Sequence, residues 1–419
     1  MNRANDPSRK SWVFVPNNSD FSIQNLPFGI FSEGLGGKRV GVAIGNQILD
    51  LSAVEKLGLL KDSGFHQSDF ASTTLNQMMG KGKSLLRELR NQISDLLLEG
   101  SDAEKKSDLI LVDQLNASMH LPIKIGDYTD FYSSEQHAYN VGCMFRDPNN
   151  ALLPNWKHIP VGYHGRASSV INSGTPVHRP KGQQKPTDDA PPVFGPCKLL
   201  DFELEMGFIT LEGKPLGDSI STAEANEYIF GMCLFNDWSA RDIQKWEYIP
   251  LGPFLAKNFA SSMSPWIVTL DALEPFRVPG PVQDPKVLPY LDYEGDHHID
   301  INLQVAIQPE GSTESIVCNS NYKHMYWNMQ QQLAHHTING CDIHAGDLLA
   351  SGTISGPEEG QFGSMLEISW KGTKPFAMED GSERKFIQDL DTVIMRGHAE
   401  KDGVRVGFGE VCTKILPTK

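Results

Sequence analysis

Three acidic side chains alternate with apolar ones in LLDFELEMGFI, residues 199–209: Asp201, Glu203 and Glu205 fall between Phe202, Leu204, Met206 and Phe208. In a strand successive side chains point to opposite faces, so the carboxylates share one face at steps of about 6.6 Å. The ordinary outcome of such a pattern is a half-buried strand whose acidic face meets water. The chemical alternative is a hard cation. Calcium takes roughly six to eight oxygens, and two carboxylates two positions apart, Glu203 and Glu205, can flank it. That reading needs further oxygen ligands, and Asp237, at the end of the apolar run FGMCLFND, offers one.

Three more stretches are dense in reactive side chains. In IGDYTDFYSSEQHAYNVGCMFR (125–146), Ser133 and Gln136 have the S-x-x-Q form of a capping box and predict a helix starting there. His137 then lies in its first turn, where the helix dipole disfavours imidazolium and keeps the ring neutral, as a general base requires. A hydrogen-bonded, half-buried histidine fits the same spacing. In NDWSARDIQKWEYIPLGPFLAKNFASSMSPW (236–266), Arg241, Gln244 and Lys257 are donors able to hold an anionic oxygen. Each alone reads as a solvated surface group, but Trp238, Trp246, Tyr248 and Phe254 crowd the same region. In SGTISGPEEGQFGSMLEISWKGT (351–373), Glu367 sits in SMLEISW, whose alternation predicts a strand. A carboxylate there can orient a histidine as Asp does in a triad, or simply face solvent.

Other chemistries lose ground. There is no G-x-S-x-G, H-E-x-x-H, Walker GxxxxGK[ST] or G-x-G-x-x-G motif, which removes the usual serine-hydrolase, zinc-protease and nucleotide devices. A net charge of −15 argues against nucleic acid or an anionic membrane as partner. No run approaches the roughly 18 apolar residues of a membrane span. The start, MNRANDPSRKSW, has no apolar segment of a secretory signal. The six cysteines are scattered without a C-x-x-C pair, against a zinc framework or a disulfide scaffold. A reducing, cytoplasmic compartment is expected.

The elements that must position these groups are mostly strands. At 419 residues and 39% hydrophobic content, the chain has material for two domains or one large β-rich unit. RVGVAIGNQILDLS (39–52) predicts a hairpin turning at Gly45-Asn46. SLLRELRNQISDLLL (84–98) predicts a helix with Leu85, Leu86, Leu89, Ile93, Leu96 and Leu97 on its buried face and a stop at Gly100. Residues 1–10 are polar and expected to be loose. From about residue 119, frequent Gly and Pro between short apolar runs favour an all-β architecture. Two stretches there, SEQHAYNVG and NYKHMYWNMQQQLAHH, look helical. The expected division is a small β-rich domain over 1–118 and a mostly β domain over 119–419.

These stretches meet in one pattern. DFSIQNLPFGIFS, MHLPIKIGDYTDFYSSEQHAYNVGCMFR, ALLPNWKHIPVGYHGRASS, LLDFELEM, NDWSARDIQKWEYIPLGPFLAKNF, HMYWNMQQQLAHHTINGC and LLASGTISGPEEGQFGSMLEISWKGT follow one another in order, and the chain resembles the fumarylacetoacetate hydrolase family. The resemblance implies an N-terminal SH3-like barrel, a larger C-terminal β-roll with a few helices, and a homodimer. It implies hydrolysis of the carbon–carbon bond of 4-fumarylacetoacetate to fumarate and acetoacetate, the last step of tyrosine and phenylalanine catabolism.

The family's residues carry over one by one. A calcium ion with a magnesium site beside it is expected on Asp130, Glu203, Glu205 and Asp237, with Asp237, Lys257 (through its backbone) and Ser261 at the magnesium. His137 oriented by Glu367 would activate water, and Arg241, Gln244 and Lys257 would stabilise the oxyanion and the departing enolate. Tyr132, Arg146, Gln244, Tyr248 and Thr353 match substrate-contacting positions, Arg146 suiting a terminal carboxylate. Two departures stand out: Ser261 where threonine is expected, and Ala256 or Ala260 where a glycine is expected, which matters if that backbone needs a positive φ. The alternatives within the superfamily are an acylpyruvate hydrolase or a 2-oxo acid hydratase or decarboxylase, which generally lack the first 118 residues. A non-catalytic metal-stabilised scaffold would be marked by loss of His137 or Glu367, and both are present.

Overall fold

The hairpin predicted around Gly45 forms, with strands Arg39–Ile44 and Gln47–Asp50 pairing antiparallel and Gly45 at φ 55°. It extends into a five-stranded antiparallel sheet with Leu111–Asp113, Phe28–Glu33 and Ala117–His120. This is a computed structural model, and it describes residues 2–187 and 189–419. The helix Lys83–Leu96 closes the sheet's core with Leu86, Leu89 and Ile93, and Leu97 follows at its C-cap. Leu85, expected on the buried face, is instead exposed. It lies one position from Leu86, about 100° around the helix, and the packed stripe passes through Leu86.

The rest of the chain is mainly β, built on two sheets. A mixed eight-stranded sheet contains Tyr128–Phe131, Leu204–Thr210, Ile229–Asp237, Ser261–Met263 and Leu348–Ala350. A five-stranded sheet contains Asn302–Gln308, Ser315–Asn321, Thr392–Lys401 and Val404–Leu416. The eight-stranded sheet is the middle layer, buried on both faces. Leu204, Met206, Phe208, Met232 and Leu234 pack against Leu303, Val305 and Met395 of the five-stranded sheet. Ile209, Cys233 and Phe235 on the other face join the core of the N-terminal sheet. A strand covered on both sides reads as a nearly continuous apolar run, which is how FGMCLFND reads. Among the described residues, no helix is long and apolar enough to cross a membrane.

Two predicted elements differ. The helical reading of NYKHMYWNMQQQLAHH holds only for Met329–Thr337, where Asn328 and Gln331 form a capping box. SMLEISW is not a strand: Met365–Ile368 is a helical turn capped by Ser364. Its S-x-x-E signature at 364–367 outweighs the apolar alternation.

Residues 2–10, within the stretch expected to be loose, are held in place. Arg90 is 1% exposed and, among the described residues, hydrogen-bonds to no carboxylate; burial, opposed by the more distant Asp271, pushes its guanidinium pKa down to about 10. Its Nη1 donates to Asn2 Oδ1 (2.9 Å) and Asn5 Oδ1 (2.8 Å), its Nε donates to Asn25 O (3.2 Å), and its Nη2 donates to Gln24 O. The N-terminal segment therefore serves as solvent for a buried cation. Replacing both Asn2 and Asn5 by Ala leaves Nη1 without these acceptors, at a cost of about 1–3 kcal/mol. The expected result is a lower urea midpoint with an unchanged slope. An unchanged midpoint would mean that water reaches Arg90 instead.

Candidate metal and catalytic site

Where the middle sheet's inner face runs out of apolar side chains, it carries carboxylates. On Leu204–Thr210, Glu205 lies on the same face as Ile209, and on Ile229–Asp237, Asp237 lies on the face of Cys233 and Phe235. Asp130 comes from Tyr128–Phe131, separated from Leu204–Thr210 by the strand Leu348–Ala350, and Glu203 from the bridge to Ser364. One oxygen from each of Asp130, Glu203, Glu205 and Asp237 lies within 4.8 Å of the others, and all four residues are buried. The solvent-facing reading of the acidic strand is thus wrong, because both faces of this strand are covered. Asp201, the third member of the alternating set, does not join the cage. The strand breaks at Phe202, and Asp201 accepts from Arg241 Nε (2.8 Å) and from the N–H groups of Met365 and Leu366.

Two cations enter the cage. Lys257 Nζ donates to Asp237 Oδ2 (2.6 Å) and to Glu203 Oε2, and Arg241 Nη2 lies 2.8 Å from Glu203 Oε1. Burial alone would raise the Glu203 carboxyl, but Lys257 and Arg241 hold it far below the ordinary carboxylate range. Asp130 and Glu205 have no such partner. Burial first, and then the neighbouring carboxylates, push both well above their usual values. Asp130 Oδ1 and Glu205 Oε1 are buried without a hydrogen-bond partner. Four hard oxygen donors, no histidine or cysteine among them, and two orphaned carboxylate oxygens fit a divalent cation of the calcium, magnesium or manganese type. Ser261 Oγ and Tyr163 Oη both donate to Asp237, at 2.8 and 3.0 Å.

Beside the cage stands a second network. His137 and Glu367, 230 residues apart, meet at 2.7 Å between Nδ1 and Oε2. His137 lies in the first turn of the helix Glu135–Phe145, as expected, but Ser134 rather than Ser133 is the N-cap, its Oγ accepting from His137 N. Two adjacent serines made that register ambiguous, and Ser133 Oγ instead accepts from Gln332 Nε2. Burial would raise the Glu367 carboxyl, yet His137 and donors from His137, Asn140 and Ser364 bring it below its usual value. Glu367, ionised, accepts from the Nδ1–H of His137, an arrangement that in the neutral ring tautomer places the free lone pair on Nε2. Asn140 Nδ2 takes Oε1 (2.9 Å), while Ser355 and Ser364 hydroxyls take Oε2 (3.0 and 2.8 Å). Sequence reasoning missed these three. Asn140 was readable as the i+3 neighbour of His137, and Ser364 as the cap three residues before Glu367.

The remaining predicted residues are distributed around these networks. Tyr132 packs edge-on against His137, with ring centroids 5.3 Å apart. Thr353 is buried next to Gly352, whose N–H donates to Glu205 Oε2 (3.0 Å). Gly352 has φ 79°, and a Cβ there would lie 2.2 Å from Phe131 O, so only glycine fits. Gln244 Oε1 accepts from Arg241 Nη1 at 3.3 Å. Tyr248 is half exposed on the surface. Arg146 does not point at the dyad: its Nε and Nη2 both donate to Ala151 O. Ala256 and Ala260 are buried and neither has a positive φ, so this backbone does not need the glycine the family pattern led us to expect.

The comparisons with known proteins fall on the same residues. Residues 128–415 match the family model "Fumarylacetoacetate (FAA) hydrolase C-terminal", and residues 24–122 match "Fumarylacetoacetase N-terminal". The chain is 56% identical to fumarylacetoacetase of Homo sapiens over 97% of its length and 99% of that protein's. It is 45% identical to the Arabidopsis thaliana protein of the same name, with 98% and 99% covered. Among solved structures, a fumarylacetoacetate hydrolase from Exiguobacterium antarcticum shares the fold with a TM-score of 0.54 at 15% identity, covering 94% of this chain and 99% of its own. Maleylpyruvate hydrolase from Sphingobium sp. SYK-6, with manganese(II) and pyruvate, gives 0.52 at 14%, covering 94% of this chain and 100% of its own.

Asp130 and Glu205 are raised above the carboxyl range of an unfolded chain, so each contributes stability to the metal-free fold that is lost as the pH rises above about 4 towards its folded value. Histidines lowered by burial, His298 and His336 among them, contribute the opposite trend below about pH 6.5, so the cage is read from the effect of metal rather than from the metal-free curve. The rise in melting temperature on adding Ca²⁺ should be larger at about pH 8 than at about pH 5, because fewer protons compete for the carboxylates. Adding Ca²⁺ at about pH 7 should also release protons to an indicator dye. Binding without proton release would show that the cage is ionised before the metal arrives.

Proposed function

The chain belongs to the fumarylacetoacetate hydrolase family, and from that premise we propose that it hydrolyses the carbon–carbon bond of 4-fumarylacetoacetate to fumarate and acetoacetate, closing tyrosine and phenylalanine catabolism. The observation that carries this reading is the 2.7 Å His137–Glu367 pair standing beside a buried four-carboxylate cage. Near-full-length identity to proteins named fumarylacetoacetase selects this substrate over the acylpyruvate and 2-oxo acid alternatives.

In the proposed reaction, Glu367 holds His137 with Nδ1 protonated, and Nε2 takes a proton from water. The hydroxide adds to the carbonyl on the fumaryl side. Arg241, Gln244 and Lys257 offer donors to the resulting oxyanion and to the enolate that departs when the C–C bond breaks. The bond's electron pair leaves with the acetoacetate carbon, which takes up the proton. The hydroxyl stays with the fumaryl carbon as fumarate. Asp130, Glu203, Glu205 and Asp237 would hold Ca²⁺, with Mg²⁺ at Asp237, Lys257 and Ser261. When bound, such a dication would supply Lewis-acid polarisation of the substrate carbonyl.

Tyr132, Thr353, Gln244 and Tyr248 are assigned to substrate contact. Arg146 joins them by exchanging the Ala151 carbonyl for a substrate carboxylate as the acceptor of its N–H groups. We further propose a domain division near residue 118, a homodimer and a cytoplasmic location. The exposed Ile249, Leu251 and Phe254 support pairing, and six free cysteines support a reducing compartment.

Enzyme added to 4-fumarylacetoacetate should bleach the diketone absorbance, chelation should stop this, and Ca²⁺ or Mg²⁺ should restore it. His137→Ala should lower kcat by about 100-fold to 10,000-fold. No bleaching by metal-replete wild type would refute the substrate assignment, and an active His137→Ala variant would refute the base.

A further inference from the structure

Lys257 reaches the cage from a turn that has no regular sheet partner, so something else must fix where its ammonium sits. Glu247 is the last residue of the short helix Arg241–Glu247. Its Oε1 accepts from Phe254 N (2.8 Å) and Ala256 N (2.8 Å), and its Oε2 accepts from Leu255 N (3.1 Å). These are three consecutive N–H groups immediately before Lys257. The turn then closes on itself, with Lys257 N and Asn258 N both donating to Phe254 O, and Ala240 N donates to Ala256 O. One carboxylate therefore joins the helix that starts at Arg241 to the turn that ends at Lys257. Between the two ends the chain runs along the surface through Tyr248, Ile249 and Leu251, all exposed, and Ala256 is the turn's one residue in the main core.

We propose that Glu247 is a positioning residue: by gathering the N–H groups of residues 254–256, it fixes the Lys257 ammonium between Glu203 and Asp237. It touches neither the cage nor the dyad, and acts only through the backbone. Without it the three amides turn to water, the turn loosens, and Lys257 samples positions away from the cage. Two consequences point in opposite directions. The Lys257 ammonium is a positive charge among the four carboxylates that would hold Ca²⁺, so its withdrawal strengthens Ca²⁺ binding there. Its withdrawal also removes an oxyanion donor, and a donor displaced by about 1 Å can cost about 100-fold in rate. Damage that merely loosened the fold would weaken both.

The kinetic half of this inference rests on the hydrolase reading above, whereas the metal half does not. The test uses the full chain with Glu247→Ala, Glu247→Gln and Glu247→Asp. Calorimetric titration of Ca²⁺ into chelator-stripped protein gives the affinity, and bleaching of 4-fumarylacetoacetate gives kcat and KM. Glu247→Ala should bind Ca²⁺ more tightly than wild type while kcat falls tenfold or more, with KM less affected. Glu247→Gln keeps an Oε1 acceptor for Phe254 and Ala256 and should stay near wild type in both readings. Glu247→Asp, one methylene short, should follow the alanine variant. Wild type that binds Ca²⁺ but leaves this substrate intact would defeat the hydrolase reading and leave the affinity arm standing. Unchanged Ca²⁺ affinity in both Glu247→Ala and Glu247→Asp would overturn the proposal, as would weaker binding in step with lower kcat. If Glu247→Ala does not fold, the comparison of Glu247→Gln with Glu247→Asp decides by the same criteria.

Discussion

Four carboxylates held within 4.8 Å of one another in a buried pocket are the constraint from which the rest of this structure follows. In a medium of low polarizability their repulsion is strong and the loss of hydration is expensive. Lys257 and Arg241 offset part of it, both bound to Glu203, whose carboxyl they hold far below the ordinary range. Among the described residues, Asp130 and Glu205 form no ion pair, and Lys257 lowers them only from a distance. That open side is where a dication would gain most. Arg241 is held in turn by Asp201, which also caps the helical turn of Glu367 through the N–H groups of Met365 and Leu366. One buried ion pair thereby sets the distance between the cage and the dyad.

The dyad itself is over-determined. Glu367 accepts from four side chains, and each occupied lone pair removes a way for the carboxylate to rotate. A fully satisfied buried network is rigid because any departure leaves a polar group unpaired at a cost of about 1–3 kcal/mol. Ser364 does two things at once, capping the helical turn and donating to the carboxylate that the turn displays. Local helix chemistry and long-range site geometry are here the same hydrogen bonds.

The middle sheet explains why so much charge can be afforded so deep in the protein. Its strands are covered on both faces by apolar cores, and the carboxylates sit at the end of one covered face. Backbone pairing fixes the Cα positions, Glu205 against Phe235 and Asp237 against Ser261, so the cage does not depend on mobile loops. Lys257 is the exception, arriving on a turn. A single carboxylate, Glu247, supplies that turn's acceptors.

The amino-acid sequence by itself determined what is written in short range. Period-two alternation marks Glu203 and Glu205 as neighbours on one face, and the turn chemistry at Gly45 marks the hairpin. The stripe of Lys83–Leu96 was legible except at Leu85, where a 3.6-residue period leaves the edge of the face undecided. The caps at Ser134 and Ser364 were present as patterns but were misplaced or overridden, since a shifted serine or an apolar alternation competes with them. What no local pattern contains is whether an acidic face meets water or a second core. That depends on elements far away in the chain, those of the N-terminal core, packing over it, and the same holds for His137 meeting Glu367 across 230 residues. Asp201 makes the point most sharply. Its spacing is identical to that of its neighbours, yet a break at Phe202 sends it to Arg241 instead of the cage, because tertiary pairing, not periodicity, decides where a strand ends.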